Sequence, residues 1–147
     1  MRSPEVERSV GYLVKRVQQG LRRRCDAALK PTGLSMAQYA VLRALAEHPD
    51  ASAAELARLC FVTRQSLQDM LAGLRAAGLV ETVDAPPRGR SRSLALTRRG
   101  SHQLTAAHDA VSAVQTAMLQ GVSVSEQRSV AEVLMRCAQN VEGRENP

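Results

Sequence analysis

Aromatic residues are nearly absent from this chain of 147 residues. Tyr12, Tyr39 and Phe61 are the only three, and there is no tryptophan. Proteins that bind single-stranded nucleic acid or RNA by stacking bases on aromatic platforms need several exposed rings. The composition therefore argues against that class.

Long apolar runs are also missing. No stretch approaches the ~18 to 20 uninterrupted apolar residues of a membrane span. The first eight residues have no hydrophobic core of the kind that a signal peptide requires. We therefore expect a soluble, cytoplasmic protein with no membrane partner.

Cysteine is scarce and irregularly placed. Cys25, Cys60 and Cys137 are odd in number and far apart, so they form neither a zinc-binding spacing nor a disulfide framework. Free cysteine is among the most buried residue types, which favours three small hydrophobic residues. Cys25 keeps a second hypothesis open, because it follows three arginines that would lower the pKa of its thiol if the group were exposed.

Motifs for catalysis and cofactor binding are lacking as well. The chain contains no nucleophile elbow, phosphate loop, paired carboxylates or zinc-hydrolase motif. The three histidines, His48, His102 and His108, show no metal-ligand spacing and are expected to be surface or packing residues. We expect no cofactor, no metal and no enzymatic activity.

Positive charge, by contrast, is plentiful. The formal net charge is +6, and the excess belongs to residues 1–100, because residues 101–147 hold three basic against five acidic side chains. This uneven distribution favours a polyanionic partner.

Residues 52–97 carry the strongest pattern in the chain. Ser52 and Glu55 form a predicted capping box at a helix start, with Leu56 and Leu59 on one apolar face. A turn at residues 60–62 leads to Thr63, a second predicted N-cap. The order helix, tight turn, helix is typical of a helix-turn-helix DNA-binding motif.

The second of these helices has two different faces. Leu67, Leu71 and Leu74 recur at helical spacing and are predicted to face the core. The opposite face is polar, as a helix in the major groove of DNA requires. We expect Arg64, Gln65 and Gln68 to contact bases or phosphates, and Thr63 and Ser66 to contact phosphates.

A basic hairpin is predicted next. Gly78 ends the helix, residues 79–83 and 93–96 alternate like strands, and turn-forming residues lie between them. That connection carries three arginines expected to contact DNA: Arg88, Arg90 and Arg92. Arg90 follows a glycine and is the best candidate for insertion into the minor groove.

Long amphipathic helices are predicted on both sides of this region. One runs from Pro4 to about Leu29, another is capped by Ser35 and Gln38, and two more begin at Thr97 and Ser123. The first and the last two have apolar stripes longer than a small domain covers alone. We therefore expect a homodimer formed by residues 1–30 and 101–147, around a DNA-binding region at residues 34–100 of a single domain spanning 1–147.

The chain resembles the MarR family of dimeric winged-helix transcriptional regulators over almost its whole length. Five segments carry the likeness: residues 38–45, 55–57, 62–64, 74–80 and 96–100. The resemblance implies a mainly α fold with a small β-hairpin wing, and an obligate dimer on a pseudo-palindromic double-stranded operator. It also implies repression relieved by a small phenolic or lipophilic ligand, or by oxidation.

Four departures from the family pattern affect its details. Arg88-Gly89-Arg90 stands where the family usually has Asp-Arg-Arg. Asp69 replaces a residue that is often basic, and could accept from a cytosine amino group or repel phosphate. Phe61 replaces the turn glycine, and its bulk suggests core packing. Cys25 also lies away from the position of the reactive cysteine in the peroxide-sensing branch, which weakens the oxidation hypothesis.

An alternative function remains compatible with these departures. The same fold could serve as a protein-protein interaction adaptor without specific DNA binding, in which the helix pair is a docking surface. Asp69 and the missing wing aspartate motivate this alternative, and the basic wing argues against it.

Overall fold

The structure is a computed structural model that describes residues 5–83 and 93–143. These residues form six α-helices and one two-stranded hairpin. The elements are α1 (Val10–Leu29), α2 (Met36–Glu47), α3 (Ala53–Leu59), α4 (Arg64–Ala76), β1 (Val80–Val83), β2 (Ser93–Leu96), α5 (Arg98–Met118) and α6 (Val124–Glu142). They confirm the mainly α winged fold. The chain divides into two compact units, one up to Val114 and one from Gln115.

Side-chain caps start most of the helices where the sequence predicts them. At Ser35 both halves of the capping box form, since its hydroxyl accepts from the Gln38 N–H at 3.1 Å while its own N–H donates to the Gln38 side chain at 2.9 Å. The same box closes between Ser123 and Glu126. At Ser52 only one half of the predicted box forms, since its hydroxyl accepts from the Glu55 N–H at 3.2 Å and the Glu55 side chain does not bond back. These bonds satisfy amides that have no partner inside the helix.

The first helix begins later than expected. A single helix from Pro4 is wrong for the described residues, because Val6–Arg8 form a separate 3-10 turn and α1 begins only at Val10; Pro4 itself lies outside them. Ser9 separates the two with extended backbone (ψ 146°), and its hydroxyl donates to the Val6 carbonyl at 2.7 Å. Serine competes for local backbone groups in this way, which makes it a poor helix-interior residue.

One hydrophobic core organises the first unit. Leu42 from α2 and Leu67 and Leu74 from α4 are completely or almost completely buried in it. The C-terminal half of α1 and the middle of α5 join the same cluster through Cys25, Leu29, Ala107 and Val111. The inward face of α2 carries Tyr39, Leu42 and Leu45, which are buried, while Ala46 is exposed. The helix pair α3–α4 is thus braced from several sides.

The hairpin follows directly from the end of α4. Its strands pair antiparallel, with Val80 opposite Leu96 and Glu81 opposite Ala95. Thr97 closes its base: the Thr97 hydroxyl donates to the Gly78 carbonyl at 2.7 Å and accepts from the Gly100 N–H at 3.0 Å. The structure thus confirms the two strands, while the connection at residues 84–92 lies outside the described residues.

The second unit contains the last residues of α5, a turn and α6. No residue of α6 is buried. Its apolar side chains are largely exposed, among them Val130 at 53%, Leu134 at 42% and Val141 at 84%. Within residues 5–83 and 93–143, no helix has the length and apolar character needed to cross a bilayer.

Candidate nucleic-acid interface

Helix α4 presents a polar face outward because its leucines hold the other face in the core. Leu67 is 0% exposed, Leu71 4% and Leu74 1%. This confirms the predicted inward stripe. The residues on the opposite side are all exposed, as predicted: Arg64, Gln65, Gln68, Asp69 and Ala72.

The N-terminus of α4 is fixed by Thr63. Its hydroxyl oxygen accepts from the Ser66 N–H at 3.0 Å, and its carbonyl accepts from the Leu67 N–H at 2.9 Å. Thr63, Arg64, Gln65 and Ser66 are exposed around this end. The helix dipole makes such an end attractive to anions, and side chains in the first turns of a helix are those that enter a major groove.

Gln65 and Asp69 form a hydrogen bond that the sequence analysis missed. The Gln65 amide Nε2 donates to the Asp69 carboxylate Oδ1 at 3.1 Å. The two residues are four apart and so lie one turn apart on the same face of the helix. That spacing was the available signal. The pair means that the acidic residue on this surface has a partner within the protein.

The position of the Phe61 side chain differs most clearly from the prediction. Its side chain is 89% exposed and its backbone has φ of 56°, so the expectation of core packing is wrong. The turn between α3 and α4 is a Schellman motif: the Phe61 N–H donates to the Arg58 carbonyl, and the Val62 N–H donates to the Ala57 carbonyl. This motif needs a left-handed residue at Phe61, which directs the ring outward.

Leu59 also differs from its expected position. The predicted apolar face of α3 pairs Leu56 with Leu59, and Leu56 is only 4% exposed. Leu59 is 37% exposed. It is the last residue of α3, where the chain already turns away from the core toward the Schellman motif. Ala57 is buried instead.

The arginines predicted for the wing, Arg88, Arg90 and Arg92, lie outside the described residues. The strands on either side place the ends of that segment next to each other, at Val83 and Ser93. Arg98 and Arg99 begin α5 just after β2 and are exposed. These two basic residues therefore follow the base of the hairpin directly in the chain.

Cys25 and Cys60 do not have the environment of a reactive thiol. Cys25 is 1% exposed, and burial, together with the charge of Asp26, raises the pKa of its thiol. The exposure that would let the preceding arginines activate Cys25 is therefore missing. Cys60 is only partly buried, and burial raises the pKa of its thiol as well. A raised pKa disfavours the thiolate, which is the reactive form.

A polar contact joins α2 to α5 within the first unit. The hydroxyl of Tyr39 and Nδ1 of His108 are 2.9 Å apart and share a hydrogen bond. His108 is thus an exposed residue bonded to α2, in line with the expectation that the histidines are surface or packing residues. In the described part of the chain, no group of three or more His, Cys, Asp or Glu side chains is arranged to hold a metal ion.

Comparisons with known proteins give this surface a context. The family model described as "MarR family" matches residues 32–91. An HTH-type transcriptional repressor of Mycobacterium tuberculosis is 36% identical over 125 residues, covering 85% of this chain and 90% of the relative.

Two solved structures share the fold and about a third of the aligned residues. The crystal structure of a Mycobacterium tuberculosis MarR family protein in complex with DNA has a TM-score of 0.70 and 34% identity, covering 89% of this chain and 98% of the other. A complex of a MarR family protein of the same organism with salicylic acid has a TM-score of 0.71 and 35% identity, covering 88% and 96%.

Proposed function

This chain belongs to the MarR family of transcriptional regulators, and from that premise we propose that it binds double-stranded DNA as a homodimer and represses transcription until a small ligand releases it. Its site of action is then the cytoplasm. The observation that carries the proposal is the outward face of α4, whose polar side chains are exposed and held in place by buried leucines on the other side.

Each residue of that face has a role that its chemistry suits. Arg64, Gln65 and Gln68 offer donors, and the two glutamines also offer acceptors, to base edges or phosphates in the major groove. Thr63 and Ser66 flank the positive end of the helix, where phosphate oxygens bind favourably. Asp69 belongs to the same contact surface through its bond to Gln65.

The wing supplies the second half of the interface. Arg88, Arg90 and Arg92 are proposed to follow the DNA backbone, with Arg90 in the minor groove, where narrow A·T-rich tracts concentrate negative potential. The net charge of +6 supports a polyanionic partner. Arg88 stands where the family usually has an aspartate, so the wing remains basic at this position.

Exposed apolar stripes support the homodimer. Val10 is 63% exposed, Val14 47% and Val17 51% along the first half of α1. The apolar side chains of α6 are exposed in the same way. A second copy of the chain would cover them and place two α4 helices at a fixed spacing, as a pseudo-palindromic operator requires.

The effector is proposed to be a small phenolic or lipophilic molecule. The support is the related Mycobacterium tuberculosis protein, whose crystal structure contains salicylic acid. Relief by oxidation of Cys25 is disfavoured by the burial of that thiol and by its raised pKa.

Binding to labelled duplexes from the promoter region of the protein's own gene, measured at a series of salt concentrations, tests the proposal. The logarithm of the binding constant should fall linearly with the logarithm of the salt concentration, with a slope of about −0.9 per phosphate neutralised. Arg64→Ala should weaken binding. Arg136→Ala on α6 removes the same charge from an exposed site and should leave binding unchanged.

A folded dimer that bound no DNA in a salt-sensitive way would contradict the proposal. Weak retention that is the same for every sequence would instead favour the interaction adaptor. Salicylic acid is the first compound to test for release of the bound DNA.

A further inference from the structure

Asp69 is the only acidic residue of α4, and its carboxylate accepts from the Gln65 amide at 3.1 Å. We propose that Asp69 is a positioning residue, which holds the Gln65 amide so that it selects adenine over guanine at one position of each half-site. The inference rests on the proposed function, because it concerns DNA contacts of the same helix.

The chemistry of the pair fixes which way the amide points. An ionised carboxylate accepts hydrogen bonds and donates none, so the nitrogen of the Gln65 amide must be the atom that faces it. The oxygen of the amide therefore points away from Asp69. A free glutamine on an exposed helix face could turn its amide either way, and Asp69 removes that freedom.

The atoms that remain free on Gln65 match adenine. One amide hydrogen is taken by Asp69, which leaves one hydrogen and the carbonyl oxygen, a donor beside an acceptor. Adenine presents the complementary pair in the major groove, the N7 acceptor and the N6 amino donor. Guanine presents two acceptors, N7 and O6, so its O6 would face the Gln65 oxygen.

The charge of Asp69 acts in the same direction. Its carboxylate lies one helical turn from Gln65 on the same exposed face, where it repels the two acceptors of guanine. No Lys or Arg side chain of residues 5–83 and 93–143 forms an ion pair with this carboxylate. Gln65 is thus the partner that Asp69 can hold.

Selection of duplexes from a library of randomised operators, followed by affinity measurements on adenine and guanine versions of the selected site, tests the inference. The wild-type protein should prefer adenine at one position per half-site, by roughly tenfold, which is within the range of one bidentate base contact. Gln65→Ala and Asp69→Ala should both remove most of that preference.

Asp69→Glu is the matched control. Its carboxylate keeps the charge and still accepts hydrogen bonds without donating any, so it can hold only the nitrogen of the Gln65 amide. Asp69→Ala should lower the ratio of adenine to guanine affinity, and Asp69→Glu should keep most of it.

Two results would overturn the inference while leaving the proposed function intact. In one, Asp69→Ala binds DNA with the wild-type base preference. In the other, Asp69→Glu loses the preference as fully as Asp69→Ala, which would mean that an acceptor-only partner for Gln65 does not set the preference. A wild-type protein that selects no sequence would overturn the proposed function, and this inference with it.

The pairing also has a readout that needs no DNA. In the free protein, the side-chain amide resonances of Gln65 in a nitrogen-proton NMR spectrum should shift in Asp69→Ala, and shift less in Asp69→Glu. Unchanged resonances in Asp69→Ala would overturn the positioning role. Circular dichroism checks that each variant folds, as expected for exposed positions.

Discussion

At the scale of the residue, Phe61 and Gly78 occupy the same position in two copies of one helix-ending motif. After α4, the Gly78 N–H donates to the Arg75 carbonyl and the Leu79 N–H to the Leu74 carbonyl, as Phe61 and Val62 do after α3. Gly78 has φ of 75° and Phe61 has φ of 56°. Glycine adopts this left-handed backbone freely, whereas a bulky residue is strained there.

Phe61→Gly should therefore stabilise the protein. Relief of the left-handed strain is worth about 1 kcal/mol, and the exposed ring adds little burial that could be lost. The free energy of unfolding, from urea denaturation, measures the effect. Phe61→Ala is the control, since it removes the ring and keeps the strain. Equal stability of the two variants would show that the turn is unstrained.

Glycine is required at position 100 for a different reason, because there is no space for a side chain, and its backbone angle is not unusual. A Cβ at this position would lie 2.0 Å from the Leu79 carbonyl oxygen, a backbone atom that cannot move aside. Gly100→Ala should lower the free energy of unfolding by about 3 kcal/mol, the upper part of the usual range for overpacking. The backbone at Leu79, just before β1, and the first turn of α5 would have to separate.

Gly73→Ala provides the comparison in the same denaturation experiment. Gly73 lies inside α4, and a Cβ there would meet nothing within 4 Å. Alanine in an open helix interior is more stable than glycine by roughly 0.5 to 1 kcal/mol. Destabilisation by both substitutions to the same extent would show that the close approach at Gly100 is not what matters.

Residue patterns predict some of these features and miss others. Leu67, Leu71 and Leu74 could be assigned to the core because helical periodicity is a property of the sequence itself. The conformation of Phe61 could not, because the motif normally identifies itself by a glycine. The approach of Gly100 to Leu79 is a contact between elements, which local pattern does not contain.

At the scale of the element, the caps were predictable because each depends on residues three positions apart. Ser35, Ser123 and Thr63 all act as N-caps where the sequence places them. The break at Ser9 was not predictable, since the apolar repeat continues through it at Val6 and Val10. Periodicity shows which face is apolar, and it does not show where the backbone leaves the helix.

The start of α6 should depend on pH through Glu126. Hydrogen bonds with Ser123, first through its backbone N–H and second through its side chain, lower the pKa of the Glu126 carboxyl below its ordinary value. A carboxyl group whose pKa is lower in the folded than in the unfolded protein stabilises the folded state at pH values above its pKa in the unfolded protein. This stabilisation is lost as the pH falls through the pKa that the group has in the folded protein.

Acidification should therefore loosen the first turn of α6. The Cα chemical shifts of residues 123–126 in the full-length protein should move toward coil values as pH falls through the acidic range. In Glu126→Gln, which keeps a side-chain acceptor and cannot ionise there, that movement should be absent. The same pH response in this variant would assign the effect to another group.

At the scale of the whole molecule, apolar surface remains exposed in both compact units. Val10 and Val17 in the first unit, and Val130 and Leu134 in the second, are each more than a third exposed. These positions recur at helical spacing, so they form stripes and are not isolated surface residues. Such stripes mark interaction surfaces, which is why the homodimer is the assembly that we propose.

Leu134→Glu should weaken that homodimer. Burying a leucine in an interface contributes about 1.5 to 3 kcal/mol, and a carboxylate in its place would have to lose water or keep the helices apart. The dissociation constant, from sedimentation equilibrium, should rise at least tenfold. Gln139→Glu is the control, because it adds the same charge on the opposite face of α6, where Gln139 is exposed.

Leu134→Glu also separates dimer formation from folding and from DNA contact. No residue of α6 belongs to the core of the first unit, so Leu134→Glu should leave the helix content at residues 10–114 intact. It should bind a full operator more weakly and a single half-site as well as the wild type does, because α4 itself is unchanged. Equal loss on both DNAs would mean that α6 supports α4 directly, and an unchanged dissociation constant would place the dimer interface elsewhere.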